Sequence, residues 1–191
     1  PALEQRATDL YIRHSIQVIE ASAYLDITKS LAYYRAAGLA LLPNGEIQIN
    51  HRIIAKLSRK EVARRFLMPA PDDLLSQLQA EGKITAQQAA LARQVPMADD
   101  ITVEADSGGH TDNRPLVGLL PTMLALRDEL QAKYRYAVPV RIGAAGGIST
   151  PHAALAAYMM GAAYVVTGSV NQACVEAGAS EHTRSLLAQA D

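Results

Sequence analysis

Glu104-Ala-Asp-Ser-Gly-Gly-His110-Thr-Asp112 and, further along, Arg141-Ile-Gly-Ala-Ala-Gly-Gly-Ile-Ser-Thr150 carry the most information about this chain. Each run follows a short apolar segment of strand character, residues 101–103 before the first and 138–142 before the second. Each then breaks into glycines where a polar or ionisable group is presented. A third copy follows, Ala163-Tyr-Val-Val-Thr-Gly-Ser169. Strand, glycine-rich turn and helix in tandem is how a parallel α/β barrel assembles a site from its strand ends. Glycines at successive turns leave backbone N–H groups open to a phosphate, and a helix starting there adds the positive end of its dipole. The array points to a phosphorylated cofactor held beside a histidine.

Upstream of these runs, residues 3–14 carry apolar side chains at helical spacing, and residues 16–19 read as a short strand ending at Glu20-Ala-Ser-Ala23. Asp26 or Thr28 can cap a helix over residues 31–37, which Gly38 ends. Pro43-Asn-Gly45 is a turn between two apolar runs, which predicts a small hairpin of residues 39–42 and 46–49. Residues 53–57 form the next strand with Lys56 near its end, and Ser58 is placed to cap a helix over residues 59–67. The rhythm then breaks. Residues 69–96 hold Pro69-Ala-Pro71, Asp72-Asp73, Gly82 and Thr85, the punctuation of a helical hairpin inserted before the next strand. Afterwards helix 116–134, strand 138–142, helix 151–160 and strand 164–167 follow at ordinary spacing.

Five strand–helix units result, with strands near residues 18, 55, 102, 140 and 165. A closed barrel of this type uses eight. The expected fold is therefore α/β, the C-terminal part of a TIM (β/α)8 barrel, as one partial domain over residues 1–191 with the 69–96 insertion inside it. The three remaining units would lie before Pro1. The chain opens at Pro1 inside a helical pattern without an initiator Met, and stops at Asp191 directly after another helical pattern. It reads as a segment of a longer polypeptide.

Composition sets the class. With 191 residues and 49% hydrophobic content the chain can bury a sizeable core. A net charge of −1 without a basic run argues against nucleic acid as the main partner. No apolar segment approaches the roughly eighteen residues that span a bilayer. Glu4, Arg6 and Asp9 in the first turns are unlike a secretory signal. The single cysteine, Cys174, excludes an intrachain disulfide framework, so a soluble protein of a reducing, cytoplasmic compartment is expected.

The residues that carry chemistry follow from the strand ends. In eight-stranded barrels a phosphate site commonly lies between the loops after strands seven and eight. Gly146 and Gly147 in one loop, with Gly168 and Ser169 in the next, match that site. Read more plainly, these glycines only permit tight strand-to-helix turns. His110 stands behind two glycines past a strand end, where an imidazole titrating near neutrality suits proton transfer. The alternatives are a surface loop residue, or a metal ligand together with Glu104, Asp106 and Asp112. Lys56 at its strand end needs an anionic partner or a route to solvent. Glu20 and Ser22 are weaker candidates of the same kind. His14, His51, His152 and His182 suit surface roles. Cys174, near an expected helix start, is read as structural.

Residues 101–112 (ITVEADSGGHTD), 140–150 (VRIGAAGGIST) and 166–178 (VTGSVNQACVEAG) resemble the PfaD-type enoyl reductases. These are trans-acting reductases of polyunsaturated fatty acid and polyketide synthases, related to nitronate monooxygenases and to flavin-dependent enoyl-carrier-protein reductases. Glu20-Ala-Ser-Ala-Tyr24, Ile53-Ile-Ala-Lys-Leu-Ser58 and Pro96-Met-Ala-Asp-Asp100 extend the resemblance over essentially the whole chain. It implies an FMN-binding barrel in which His110 is the acid/base at the flavin. Gly146, Gly147, Gly168 and Ser169 would hold the FMN phosphate, and Lys56 would lie near the ring, at the N1–C2=O locus. NADPH would be the reductant and an enoyl thioester on an acyl carrier protein the substrate, in a homo-oligomer without a metal. Two rivals stand beside this reading: nitronate oxidation at the same site, and a non-catalytic domain that docks on a synthase. The long 69–96 insertion is expected to favour a large tethered substrate over a small nitroalkane.

Overall fold

The computed structural model describes residues 2–106 and 112–189. In chain order the elements begin with α1 (Ala2–Arg13), β1 (Val18–Ser22), α2 (Lys29–Ala37), β2 (Leu39–Leu41), β3 (Ile47–Ile49), β4 (Arg52–Leu57) and α3 (Lys60–Leu67). They continue through α4 (Asp72–Ala80), α5 (Ala86–Ala92), β5 (Asp100–Glu104), α6 (Leu116–Tyr134) and β6 (Arg141–Ala145). The last are α7 (Pro151–Met159), β7 (Val165–Val166), α8 (Ser169–Gln172) and α9 (Glu181–Leu187).

One parallel sheet in the order β1-β4-β5-β6-β7 organises the molecule, with β2 and β3 as a separate antiparallel pair. A strictly sequential order with right-handed crossovers puts every connecting helix on the same side. That is the arc of an α/β barrel and not a doubly wound sheet, as the sequence led us to expect.

The two faces of the arc differ in chemistry. In-register residues of neighbouring strands share a face, and successive residues alternate. Ile53, Ala55 and Leu57, Ile101 and Val103, and Ile142 and Ala144 are all buried on the helix side. There they meet α3 and α6. The other face carries Glu20, Ile54 and Lys56, then Asp100, Thr102 and Glu104, then Arg141 and Gly143. It is a polar face organised in pairs. Arg141 donates to both Asp100 oxygens at 2.6 and 2.8 Å, and the Thr102 and Tyr164 hydroxyls lie 2.9 Å apart. Burial pushes the Tyr164 phenol above its ordinary value, so it stays a neutral hydrogen-bonding group.

Tyr164 also explains where the sequence reading slips. The apolar run predicts a strand over residues 138–142, whereas β6 covers Arg141–Ala145 and takes Gly143 into the strand. A Cβ at Gly143 would sit 2.2 Å from the Tyr164 ring, so glycine is required there by close approach and not by a turn. Val138, read as strand, is exposed.

At the N-terminal ends of the strands one buried arginine fastens three segments. Arg35 Nε donates to the Pro96 carbonyl at 3.0 Å, and Nη1 donates to the His51 carbonyl at 3.1 Å and to Asp99 Oδ2 at 2.8 Å. Asp99 Oδ2 accepts from the Ile53 N–H as well, at 2.9 Å. Removing one partner of such a buried pair costs about 3–5 kcal/mol, because the other charge is left unpaired. His51, expected on the surface, is buried instead. Its ring stacks on Tyr34 at 4.6 Å, and Nδ1 donates to the Tyr34 carbonyl at 2.8 Å.

The 69–96 segment is a helical hairpin, α4 and α5, with a full capping box at Thr85 and Gln88. It packs on α2 and β2, and Gln88 Nε2 donates to the Ala37 carbonyl at 3.1 Å. The insertion thus extends the outer flank of the helix layer.

β1 and β7 are the outermost strands of the sheet, and apolar side chains beside them (Leu3, Val18, Leu155, Met159, Val166) are exposed. Unpaired strand edges beside exposed apolar surface favour pairing with further chain. These 191 residues on their own are therefore expected to self-associate, as sedimentation would show. A strict monomer would contradict this.

Candidate functional site

The C-terminal strand ends bring the sequence candidates to one end of the sheet. Lys56, in β4, places Nζ 3.4 Å from Glu104 Oε1 in the neighbouring strand, with both side chains half-buried. Beside them opens a cleft of ≈ 680 Å³ lined by both residues, by the turn after β6 (Gly146, Gly147) and by the turn after β7 (Gly168, Ser169). Lys56, Gly146, Gly147, Gly168 and Ser169, picked out separately in the sequence, therefore share one cleft. Glu104 and Asp106 also line it.

The glycines serve different ends. Gly146 has φ +91°, and a Cβ there would lie 2.6 Å from the Ala105 carbonyl oxygen, so the next strand end itself demands glycine. Gly147 has φ +68°, and the nearest atom to a Cβ would be 3.9 Å away. Around Gly168, at the N-cap of α8, no atom lies within 4 Å of such a Cβ. Gly168 thus faces open space and Gly147 meets only the Asp106 carbonyl oxygen at ordinary contact distance, which leaves the room that close approach of a ligand phosphate to backbone N–H groups needs.

His110 lies outside the described residues. Among the described residues on either side of it, the Asp106 N–H donates to the Arg114 carbonyl at 3.0 Å. Asp112 accepts from Ser58 Oγ at 2.5 Å and from Arg59 Nε and Nη2 at 3.0 and 3.1 Å. These bonds, from Arg59 first and then Ser58, hold the Asp112 carboxyl well below the usual carboxylate range. Ser58, expected as the cap of α3, is therefore engaged elsewhere, and Arg59 holds the N-cap position without a side-chain bond. Glu104 and Asp112, two of the candidate metal ligands, are each turned to a cation. Among the described residues, no group of three His, Cys, Asp or Glu is placed to hold a metal ion.

A second cleft, of ≈ 390 Å³, lies on the other side of the Lys56–Glu104 pair, between the turns after β1 and β4. Residues 69–96 line neither of these two clefts. Cys174 follows the end of α8, not its start, and is exposed with Sγ 3.5 Å from the Val170 carbonyl oxygen. Sequence reasoning missed Arg59 and the roles of Ser58 and Asp112. The alternation Asp100-Ile-Thr-Val-Glu104 was the legible signal for the polar inner face, because polar residues at every second position mark one face of a strand.

The sheet and cleft define the class: an α/β barrel arc with glycine-containing turns after its last two strands. No family model matches the chain. It is 50% identical over 186 residues to the polyketide biosynthesis protein PksE of Bacillus subtilis (strain 168), covering 97% of this chain and 24% of that protein. It is 49% identical over 190 residues to a polyunsaturated fatty acid synthase polypeptide of a Thraustochytrium species, covering 98% of this chain and 13% of that protein. The enoyl reductase domain of MlnA, from the macrolactin cluster of Bacillus amyloliquefaciens, superposes with a TM-score of 0.92 at 42% identity, covering 99% of this chain and 42% of that one. FabK from Thermotoga maritima, at 18% identity and a TM-score of 0.55 over 96% of this chain and 43% of its own, shares the fold. The resemblance to the PfaD-type enoyl reductases is borne out. The chain spans about a quarter or less of the length of the curated relatives it matches.

Proposed function

We propose that the protein is an FMN-dependent enoyl reductase that acts on enoyl thioesters carried by an acyl carrier protein, with NADPH as reductant. The observation that carries this reading is the single cleft shared by Gly147, Gly168, Ser169 and the Lys56–Glu104 pair. Turn glycines with room on the Cβ side, a hydroxyl and a strand-end ammonium suit a phosphate and the polar edge of a flavin ring. Bound there, FMN would supply hydride exchange between a nicotinamide and the β-carbon of the enoyl thioester.

The chain's own groups do the rest. Backbone N–H groups at Gly147 and Gly168 and the Ser169 hydroxyl hold the phosphate. Lys56, its side chain steadied by Glu104, presents positive charge to the anionic ring edge. His110 gives its proton to the α-carbon as the thioester is reduced. Relatives named as parts of a fatty acid synthase and as an enoyl reductase domain of a biosynthetic cluster support the substrate class. Among the described residues no helix is long and apolar enough to cross a membrane, which suits a cytoplasmic setting beside a synthase.

The test is product analysis. Full-length protein given NADPH and a crotonyl thioester is expected to release the saturated butyryl thioester. Nitrite from an alkyl nitronate, with no saturated thioester formed, would assign the site to nitronate oxidation instead.

A further inference from the structure

The Lys56–Glu104 pair is a wall shared by two clefts. The proposed flavin site occupies only the one on the glycine side. The other, at ≈ 390 Å³, falls in the roughly 300–1,000 Å³ range of small-molecule sites. Tyr24, Leu25, Leu57 and Val62 give it apolar sides. Leu25 is 67% exposed, while Leu57 and Val62 belong to the buried core. A lone exposed leucine needs no explanation, but one that lines a cleft with three further apolar or aromatic residues does.

Charge decides what the cleft accepts. Its two cations are both paired, Lys56 with Glu104 at 3.4 Å and Arg59 with Asp112 at 3.0 Å. A nucleotide or free phosphate entering here would meet a carboxylate beside each cation, Glu104 or Asp112. An uncharged aliphatic chain disturbs neither pair, and it covers Leu25. We propose that this cleft takes the aliphatic part of the acyl substrate, entering past Leu25 with its reacting end at the Lys56–Glu104 wall. The inference rests on the enoyl reductase reading and adds the substrate's position and a preference for longer chains.

Binding can be read without turnover. Full-length, FMN-loaded protein would be titrated with saturated butyryl and octanoyl thioesters of N-acetylcysteamine, following the perturbation of flavin absorbance. The unaltered protein should bind the octanoyl compound at least about tenfold more tightly, well inside what burial of four further methylenes allows. Leu25→Asp, a change at an exposed position, should weaken octanoyl binding about tenfold and butyryl binding less than about twofold, because only the longer chain reaches the apolar side. Leu25→Met should restore the preference. No chain-length preference in the unaltered protein, or an equal effect of Leu25→Asp on both compounds, would overturn the assignment. If binding depends on chain length but crotonyl thioester is never reduced, the reductase reading alone fails.

Discussion

His110→Ala in the full-length protein is expected to slow enoyl reduction by about two to four orders of magnitude, the usual worth of a positioned general acid. FMN should remain bound, because the turns proposed to hold its phosphate belong to other loops. The pH profile separates this role from its rival. A histidine that donates a proton must be protonated, so turnover should fall as pH rises through its pKa, ordinarily about 6.5. A histidine acting as base on a nitroalkane would lose activity in the opposite direction, as pH falls. Asp112 cannot be the source of either limb. Arg59 and Ser58 hold its carboxyl below the ordinary range, so its stabilising bonds are present above the unfolded carboxylate pKa and are lost only well into acid. Unchanged turnover and an unchanged pH profile in His110→Ala would make the histidine a bystander.

Gly147→Val should reduce FMN affinity by about a hundredfold or more, in line with losing charge-assisted hydrogen bonds from two backbone donors. The choice of Gly147 over Gly146 matters. At Gly146 an added Cβ would meet the Ala105 and Asp106 carbonyl oxygens at 2.6 and 2.7 Å, so a substitution there distorts the strand end whatever binds. At Gly147 the protein leaves room, and the new side chain grows into the space assigned to the phosphate. Its positive φ adds strain of its own. Gly45→Val supplies the control: φ is +85° with no atom within 4 Å, but the site is the distant β2–β3 turn. Flavin equilibrium dialysis on both variants should show loss only for Gly147→Val. Equal retention in the two would remove the phosphate from this turn.

The fold was largely legible in the sequence because strand, glycine turn and helix recur at fixed spacing, and the five parallel strands fall at or beside the expected segments. Local punctuation also held. Thr85 caps its helix and Thr28, one of the two residues offered for α2, caps that one; Thr150 does the same for α7, each accepting from the N3 backbone N–H. What failed depended on partners far along the chain. Gly143 looked like a turn residue because nothing local shows that the Tyr164 ring will lie against it. Ser58 looked like a cap because Asp112 stands 54 residues away. His51 looked superficial because its burial comes from Tyr34 and a glycine at position 38, where a Cβ would sit 2.4 Å from the imidazole. Lys56 and the four turn residues picked from the sequence line one cleft. The pairing of Lys56 was not legible, since Glu104 is identifiable as its partner only once β4 and β5 are in register.

Whether the glycine-lined cleft holds a working flavin is decided by the absorbance spectrum of the full-length protein, recorded without oxygen. Oxidised flavin bands are expected on purification, with bleaching by NADPH and return of the bands when an enoyl thioester is added. A purified protein without flavin absorbance, or a flavin bleached by NADPH that an enoyl thioester does not reoxidise, would contradict the reductase assignment.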